Sequence, residues 1–200
     1  MLEGSLLLFI QEHLRFDFLT PLMTGVSAAG TAGICWIVLA LGILLTGLIL
    51  HFGVKKKTVS KQFILTGLAI GIALVFSLLI TNLILKNAVG RVRPYDAITS
   101  LQILVPRESD SSFPSGHASA GFAASAALLL MLPKKKKWPG IIAVIFASLM
   151  AYSRLYVGVH YLSDVAAGIG VGIICAMLAV FIFSGCVLPK KAPRPPLRRQ

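Results

Sequence analysis

Five stretches of this chain, 22–54, 62–85, 111–133, 138–153 and 165–189, contain no Asp, Glu, Lys or Arg. A helix needs about 20 apolar residues to cross the hydrocarbon of a bilayer, where each backbone N–H and C=O must find its partner within the segment. Runs of this length and polarity therefore constrain the chain to a bundle of membrane-spanning helices. Composition agrees: 56% of the residues are hydrophobic and 13% charged, a balance that excludes an ordinary soluble domain. The fourth stretch is short, and spans only if it continues towards residue 157 with Arg154 at the interface. Glycine recurs inside the runs (Gly42, Gly47, Gly67, Gly71, Gly168, Gly170 and Gly172), which lets membrane helices approach closely. The expected fold is all-α: a polytopic transmembrane helix bundle of about five spans, forming one domain over 1–189.

The N-terminal segment differs. Leu2, Leu6, Ile10, Leu14 and Phe18 recur every four residues, with Glu3, Gln11, Glu12 and Arg15 between them. This predicts an amphipathic helix over 1–21 lying in the membrane interface and stopped near Pro21; the alternative is a soluble cap packed on the bundle. The first residues carry Glu3 and Glu12 rather than a basic start, which argues against a cleavable signal peptide.

A formal net charge of +12 would suggest nucleic acid in a soluble protein. Here most basic residues fall into three clusters: Lys55, Lys56, Lys57 and Lys61; Lys134 to Lys137; and Lys190, Lys191, Arg194, Arg198 and Arg199. With five spans all three reach one side, which the positive-inside rule makes cytoplasmic. Membrane lipids rather than nucleic acid are the expected surroundings. All seven acidic residues fall on the other side, four of them (Glu108, Asp110, Asp96 and Asp164) in or beyond an outer loop over 94–113. That loop is polar enough to fold over a site. Residues 190–200 read as a disordered basic cytoplasmic tail. Cys35, Cys175 and Cys186 show no metal-ligand spacing, so core packing is expected of each.

Three polar stretches lie against these runs, all on the side away from the basic clusters. In the first, Lys86 and Arg93 are two helical turns apart and share a face if the helix continues to Pro94; ammonium and guanidinium together would clamp a phosphate. Arg91 falls on another face, so its loss is expected to be mild. Alone this pattern is also that of basic residues snorkelling at a helix end. The second stretch, Pro114–Ser115–Gly116–His117, opens a helix whose N-terminal N–H groups can approach an anion, with His117 beside it as a proton donor. The bland alternative is a capping turn with an interfacial histidine. In the third, Asp164 follows His160 by four residues, so the carboxylate can hold the imidazole in one tautomer and make it a candidate nucleophile. Arg154 lies upstream, and Gly158 permits the turn that would return it to the same anion.

The three stretches together resemble the type 2 phosphatidic acid phosphatase superfamily of membrane lipid phosphatases. The match is Lys, six residues, Arg-Pro; then Pro-Ser-Gly-His; then Ser-Arg, five residues, His, three residues, Asp. The resemblance implies that His160 attacks phosphorus to give a phosphohistidine, that Asp164 supports it, and that His117 protonates the leaving group. Lys86, Arg93, Ser115, Gly116 and Arg154 would hold the phosphate, with no metal or other cofactor. Many bacterial members have six spans, whereas five preceded by an interfacial helix looks like the bacterial undecaprenyl pyrophosphate phosphatases of the same superfamily. That implies hydrolysis of undecaprenyl diphosphate at the outer face of a bacterial cell (inner) membrane, with phosphatidate or phosphatidylglycerol phosphate as alternatives. Soluble vanadium-dependent haloperoxidases have a related site, but five apolar spans count against that reading. A transporter or non-catalytic binder of lipid phosphates would place charge near the midplane, whereas these charges cluster at one interface. Oligomeric state is not legible.

Overall fold

Charge-free runs of Leu, Ile, Val and Ala form helices wherever backbone groups must be satisfied internally, and the described residues contain helices and no strand. The computed structural model describes residues 2–53 and 57–187, with side chains to 183. The tail over 190–200, Lys55, Lys56 and the Cys186 side chain lie outside the described residues. In chain order the α-helices are α1 (Leu2–His13), α2 (Thr20–Ala29), α3 (Ile34–Phe52), α4 (Lys57–Leu78), α5 (Lys86–Val89), α6 (Pro94–Ala97), α7 (Gly116–Met131), α8 (Trp138–Tyr156) and α9 (Leu162–Val187). Thr31–Phe52, Lys57–Ala97, Trp138–Tyr156 and Leu162–Phe183 are long and apolar enough to cross a membrane, and Gly116–Met131 is a shorter apolar helix. The bundle of about five apolar helices is thus present.

Two expected boundaries are corrected. The first apolar run is not one helix from residue 22. It breaks between α2 and α3, where Ala32 and Gly33 take φ values of 51° and 69°, a left-handed turn that glycine adopts without strain. The N-terminal helix does not run on to Pro21 either. It ends at His13, and Pro21 instead sits in the first turn of α2, where its missing N–H costs nothing.

α1 lies over the end of the bundle that carries the three motifs. Its buried side chains are Leu7 and Ile10, which pack with Tyr95, Leu101, Tyr156, Val159 and Val165. Gln11 exchanges hydrogen bonds with the Ser100 carbonyl and the Gln102 N–H, and Arg15 donates to the carbonyls of Tyr156 and Gln102. The middle of the every-four stripe is thus buried, with Ile10 in the core and Leu6 and Leu14 packed against it, while its ends, Leu2 and Phe18, are exposed, as is Phe9. Leu7 joins the stripe in the core, and the exposed apolar residues still suit an interface.

α7 is the central helix, packed against α9, α8 and α4, with α3 completing the bundle against α4. Small residues allow this. A side-chain carbon at Gly172 would lie 2.4 Å from the Ser119 carbonyl oxygen, and one at Gly168 would lie 2.5 Å from that of Ser115. The backbones of α7 and α9 are thus in contact near their motif-bearing ends. Ala123, Ala127 and Cys175 are buried in the same core, and Cys175 and the half-buried Cys35 are free thiols.

Candidate active site

The chain enters the site through an irregular end of α4. Leu79–Leu85 forms a π-helical segment leading into α5, and α5 stops at Gly90, whose φ is 59°. Arg93 is already extended when it caps α6. The expectation that Lys86 and Arg93 share one helical face is therefore wrong: a left-handed glycine ends the helix between them. They converge because the chain turns back, and both meet Asp110. Arg91, freed from the helix, points at the third motif. Its guanidinium lies 2.5 Å from Asp164 Oδ1, 2.6 Å from the Ser163 hydroxyl and 2.7 Å from Glu3 Oε2, and it stacks 4.1 Å from the Tyr161 ring centroid.

Three buried cations form the floor. Arg93 and Arg154 come from the start of α6 and the end of α8, and Lys86 from α5; all three are buried. Each is met by a carboxylate of the outer loop. Arg93 Nη2 lies 2.5 Å from both Glu108 Oε2 and Asp110 Oδ1, Lys86 pairs with Asp110, and Arg154 pairs with Glu108. Burial by itself would raise both carboxyl pKa values. Arg154 and Arg93 outweigh it at Glu108, and Lys86 and Arg93 at Asp110, so both groups are held below the usual carboxylate range. Arg154 also donates to the Ser27 hydroxyl.

His160 lies in the turn between α8 and α9, just after Gly158, whose φ of 82° makes the reversal expected of it. It is 1% exposed. Its Nε2 lies 3.5 Å from Arg93 Nη1 and its Nδ1 3.6 Å from Asp164 Oδ2. Desolvation, reinforced by Arg154 and Arg93, pushes its pKa down to about 4, so the imidazole is neutral at pH 7 and keeps a lone pair. The four-residue spacing predicts both groups on one helix. Instead His160 precedes α9, and Asp164 occupies its first turn. Asp164 is held from several directions: the Tyr161 N–H donates to Oδ2 at 2.9 Å, the Ser112 hydroxyl donates to the same oxygen, and Arg91 holds Oδ1. A carboxylate that accepts an N–H at a helix start suits the dipole there.

Ser115 is the N-cap of α7, its hydroxyl accepting from the Ala118 N–H, and Gly116 opens the helix. Pro114 precedes the cap rather than entering the first turn. Ser115 is fully buried, and its N–H donates to the Asp164 carbonyl at 3.0 Å, tying the second motif to the third. His117 Nε2 lies 3.1 Å from the Ser27 carbonyl. Gly116, His117, Lys86 and His160 face a cavity of about 750 Å³ together with Asn82, Glu108 and Asp110. Away from these polar groups the cavity continues between α3 and α4 along Ile37, Leu41, Leu74, Val75 and Leu78.

The structure thus brings Lys86, Arg93, Arg154, His117, His160 and Asp164 into one connected cluster, while Ser115 reaches it through the backbone. Sequence reasoning missed the roles of Ser27, Ser112, Arg91 and Glu3, and the pairing of Glu108 and Asp110. Only the polarity of the outer loop hinted at the last two. An arrangement of neutral imidazole, buried cations and a second imidazole can bind an anion and exchange groups at its centre.

The chain is similar to known proteins. The sequence model of the PAP2 superfamily matches residues 64–186. An undecaprenyl-diphosphatase of Sulfolobus acidocaldarius is 39% identical over 118 residues, covering 58% of this chain and 56% of that protein. The undecaprenyl-diphosphatase BcrC of Bacillus subtilis is 37% identical over 134 residues, 66% of this chain and 64% of that one. The match therefore spans between about half and two thirds of these relatives. The crystal structure of the first transmembrane PAP2 type phosphatidylglycerolphosphate phosphatase from Bacillus subtilis superposes with a TM-score of 0.73 at 25% identity, covering 95% of this chain and 87% of that chain.

Proposed function

The chain belongs to the PAP2 superfamily, and on that premise we propose that it is a multi-pass membrane phosphatase acting on lipid phosphates. The observation that carries this is the cavity itself: cations and two histidines at one end, and an apolar groove between two spans at the other. A headgroup phosphate would lie on Lys86, Arg93 and Arg154, near the first N–H groups of α7, while its tail follows the groove.

The reaction then proceeds in two displacements. His160 Nε2 attacks phosphorus and the bond to the leaving oxygen breaks, with Asp164 stabilising the positive imidazole that forms. With the phosphate anion beside it to favour its charged form, His117 gives a proton to the leaving oxygen. Neutral His117 next takes a proton from water as that water attacks the phosphohistidine; the P–N bond breaks and inorganic phosphate leaves. The three cations stabilise the charge spread over the transferring oxygens. No step needs a metal ion.

Undecaprenyl diphosphate is the proposed substrate, hydrolysed to the monophosphate at the outer face of a bacterial cell membrane. Two named undecaprenyl-diphosphatases among the relatives and the acidic, motif-bearing end opposite the lysine clusters support this reading. Phosphatidylglycerol phosphate is the second reading, favoured by the likeness to the Bacillus subtilis phosphatase structure. Phosphate release from a panel of polyprenyl diphosphate, phosphatidate and phosphatidylglycerol phosphate, in detergent with a chelator present, separates them. Preference for the polyprenyl diphosphate is expected; preference for a glycerolipid overturns the substrate, and activity that requires an added divalent ion overturns the metal-free chemistry.

A further inference from the structure

Glu108 and Asp110 occupy the cations that the proposed reaction needs. The side chains of Arg93, Arg154 and Lys86 are 2%, 3% and 8% exposed, whereas those of Glu108 and Asp110 are 30% and 49% exposed and face the cavity. The loop backbone around them is tied down. Tyr95 Oη donates to the Glu108 carbonyl at 3.0 Å and accepts its N–H at 3.1 Å. The Ser111 hydroxyl donates to the Lys86 carbonyl, and the Ser112 N–H to that of Arg91. The carboxylates can therefore leave the cations by rotating their side chains, without withdrawal of the loop.

Charge decides what can replace them. Three cations against two carboxylates leave a net charge of +1 in a largely buried site. A phosphomonoester dianion that displaces both leaves the same +1, and the terminal group of a diphosphate does at least as well. A phosphodiester brings one negative charge and would leave +2, with guanidinium and ammonium groups facing one another at low dielectric. Phosphodiester headgroups are also what a bilayer presents in bulk.

We propose that Glu108 and Asp110 are specificity-determining residues: internal counter-ions that only an anion of two or more charges displaces, keeping bulk phosphodiester headgroups off the site. This rests on the reading of Lys86, Arg93 and Arg154 as the phosphate clamp. It goes further in giving the outer loop a task in substrate choice, separate from the chemistry of the two histidines.

The test compares two inhibitors with identical short tails, dihexanoyl phosphatidate and dihexanoyl phosphatidylglycerol, against the best lipid phosphate substrate of the panel at pH 8. Wild type should be inhibited by the monoester and scarcely by the diester. In Glu108→Gln/Asp110→Asn the Ki of the diester should fall by about tenfold or more, and KM for the substrate should fall as well. Because the double variant leaves three buried cations uncompensated, each single variant is measured beside it and should show part of the same shift. An unchanged diester Ki in all three variants, with turnover retained, overturns the proposal. Absence of hydrolysis of any panel member by the wild type would instead overturn the phosphatase reading, and the proposal with it.

Discussion

His160 and His117 have the same side chain and different positions in the site, to which the proposed reaction gives different tasks. His160 is buried against Arg93 and Arg154, which keeps it neutral and fit to attack. His117 faces the cavity, where a leaving oxygen would be. His117→Ala should therefore lower kcat/KM by about two orders of magnitude or more on a substrate with a poor leaving group. The loss should be smaller on an aryl phosphate, whose leaving group needs little protonation; equal losses on both would remove His117 as the acid. Burial of a neutral imidazole also has a sign in stability. With a folded pKa of about 4 against 6.5 for the free group, the unfolded chain binds the proton first. The stabilising contribution is full above pH 6.5 and is lost as pH falls towards 4. Thermal unfolding in detergent should show wild type losing more stability than His160→Asn across that window. Parallel curves for the two would mean that His160 is not held neutral.

The elements meet at the start of α9, and α1 takes part. Glu3 accepts from the Ser163 N–H at 2.7 Å and pairs with Arg91, which in turn holds Asp164. Although burial opposes it, the Arg91 contact keeps the Glu3 carboxyl below its usual range. A helix that reads as a membrane-surface element is thus also a brace for the Asp164 carboxylate. Arg91→Ala is expected to cost activity by about tenfold or more rather than to be mild. Glu3→Gln should cost less, and the double variant little more than Arg91→Ala alone, because the pair acts as one unit. Additive losses would separate Glu3 from the carboxylate. Between α7 and α9 the limit is space. Gly172→Val should destabilise the protein by about 1–3 kcal/mol or more through overpacking, read as a lowered Tm, while Gly170→Ala, where an added carbon meets nothing within 4 Å, should leave Tm unchanged. A tolerated Gly172→Val would mean the two helices are not in backbone contact.

Across the molecule, charge is sorted between two ends. Glu3, Glu108, Asp110 and Asp164 gather with the motifs, and Lys134 to Lys137 lie in the turn between α7 and α8 at the other end. If the lysine end faces the cytoplasm, the cavity opens outward, where a carrier lipid would carry a diphosphate. Single cysteines at Ser100 and Thr58, in a background without Cys35, Cys175 and Cys186, test this in intact cells. Ser100 should react with an impermeant thiol reagent and Thr58 should not. Labelling in the reverse sense overturns the sidedness while leaving the chemistry intact.

Helix class, the number of apolar runs and the residues of the three motifs were all legible in the chain, because each depends on local properties: runs of apolar side chains long enough for a bilayer, and chemical groups at short spacing. His160, Asp164, Arg154, Lys86 and Arg93 needed no fold to be picked out together. What periodicity misjudged were places where one residue overrides a pattern. Gly90 ended the helix that was to align Lys86 with Arg93, and Gly33 split the first apolar run. The contacts that no local pattern encodes were left to the tertiary structure: Arg91 on Asp164, Glu3 beside it 88 residues away in sequence from Arg91, and the outer-loop carboxylates on the three cations. A charged group finds its partner by distance in space, and that distance exists only once the helices have packed.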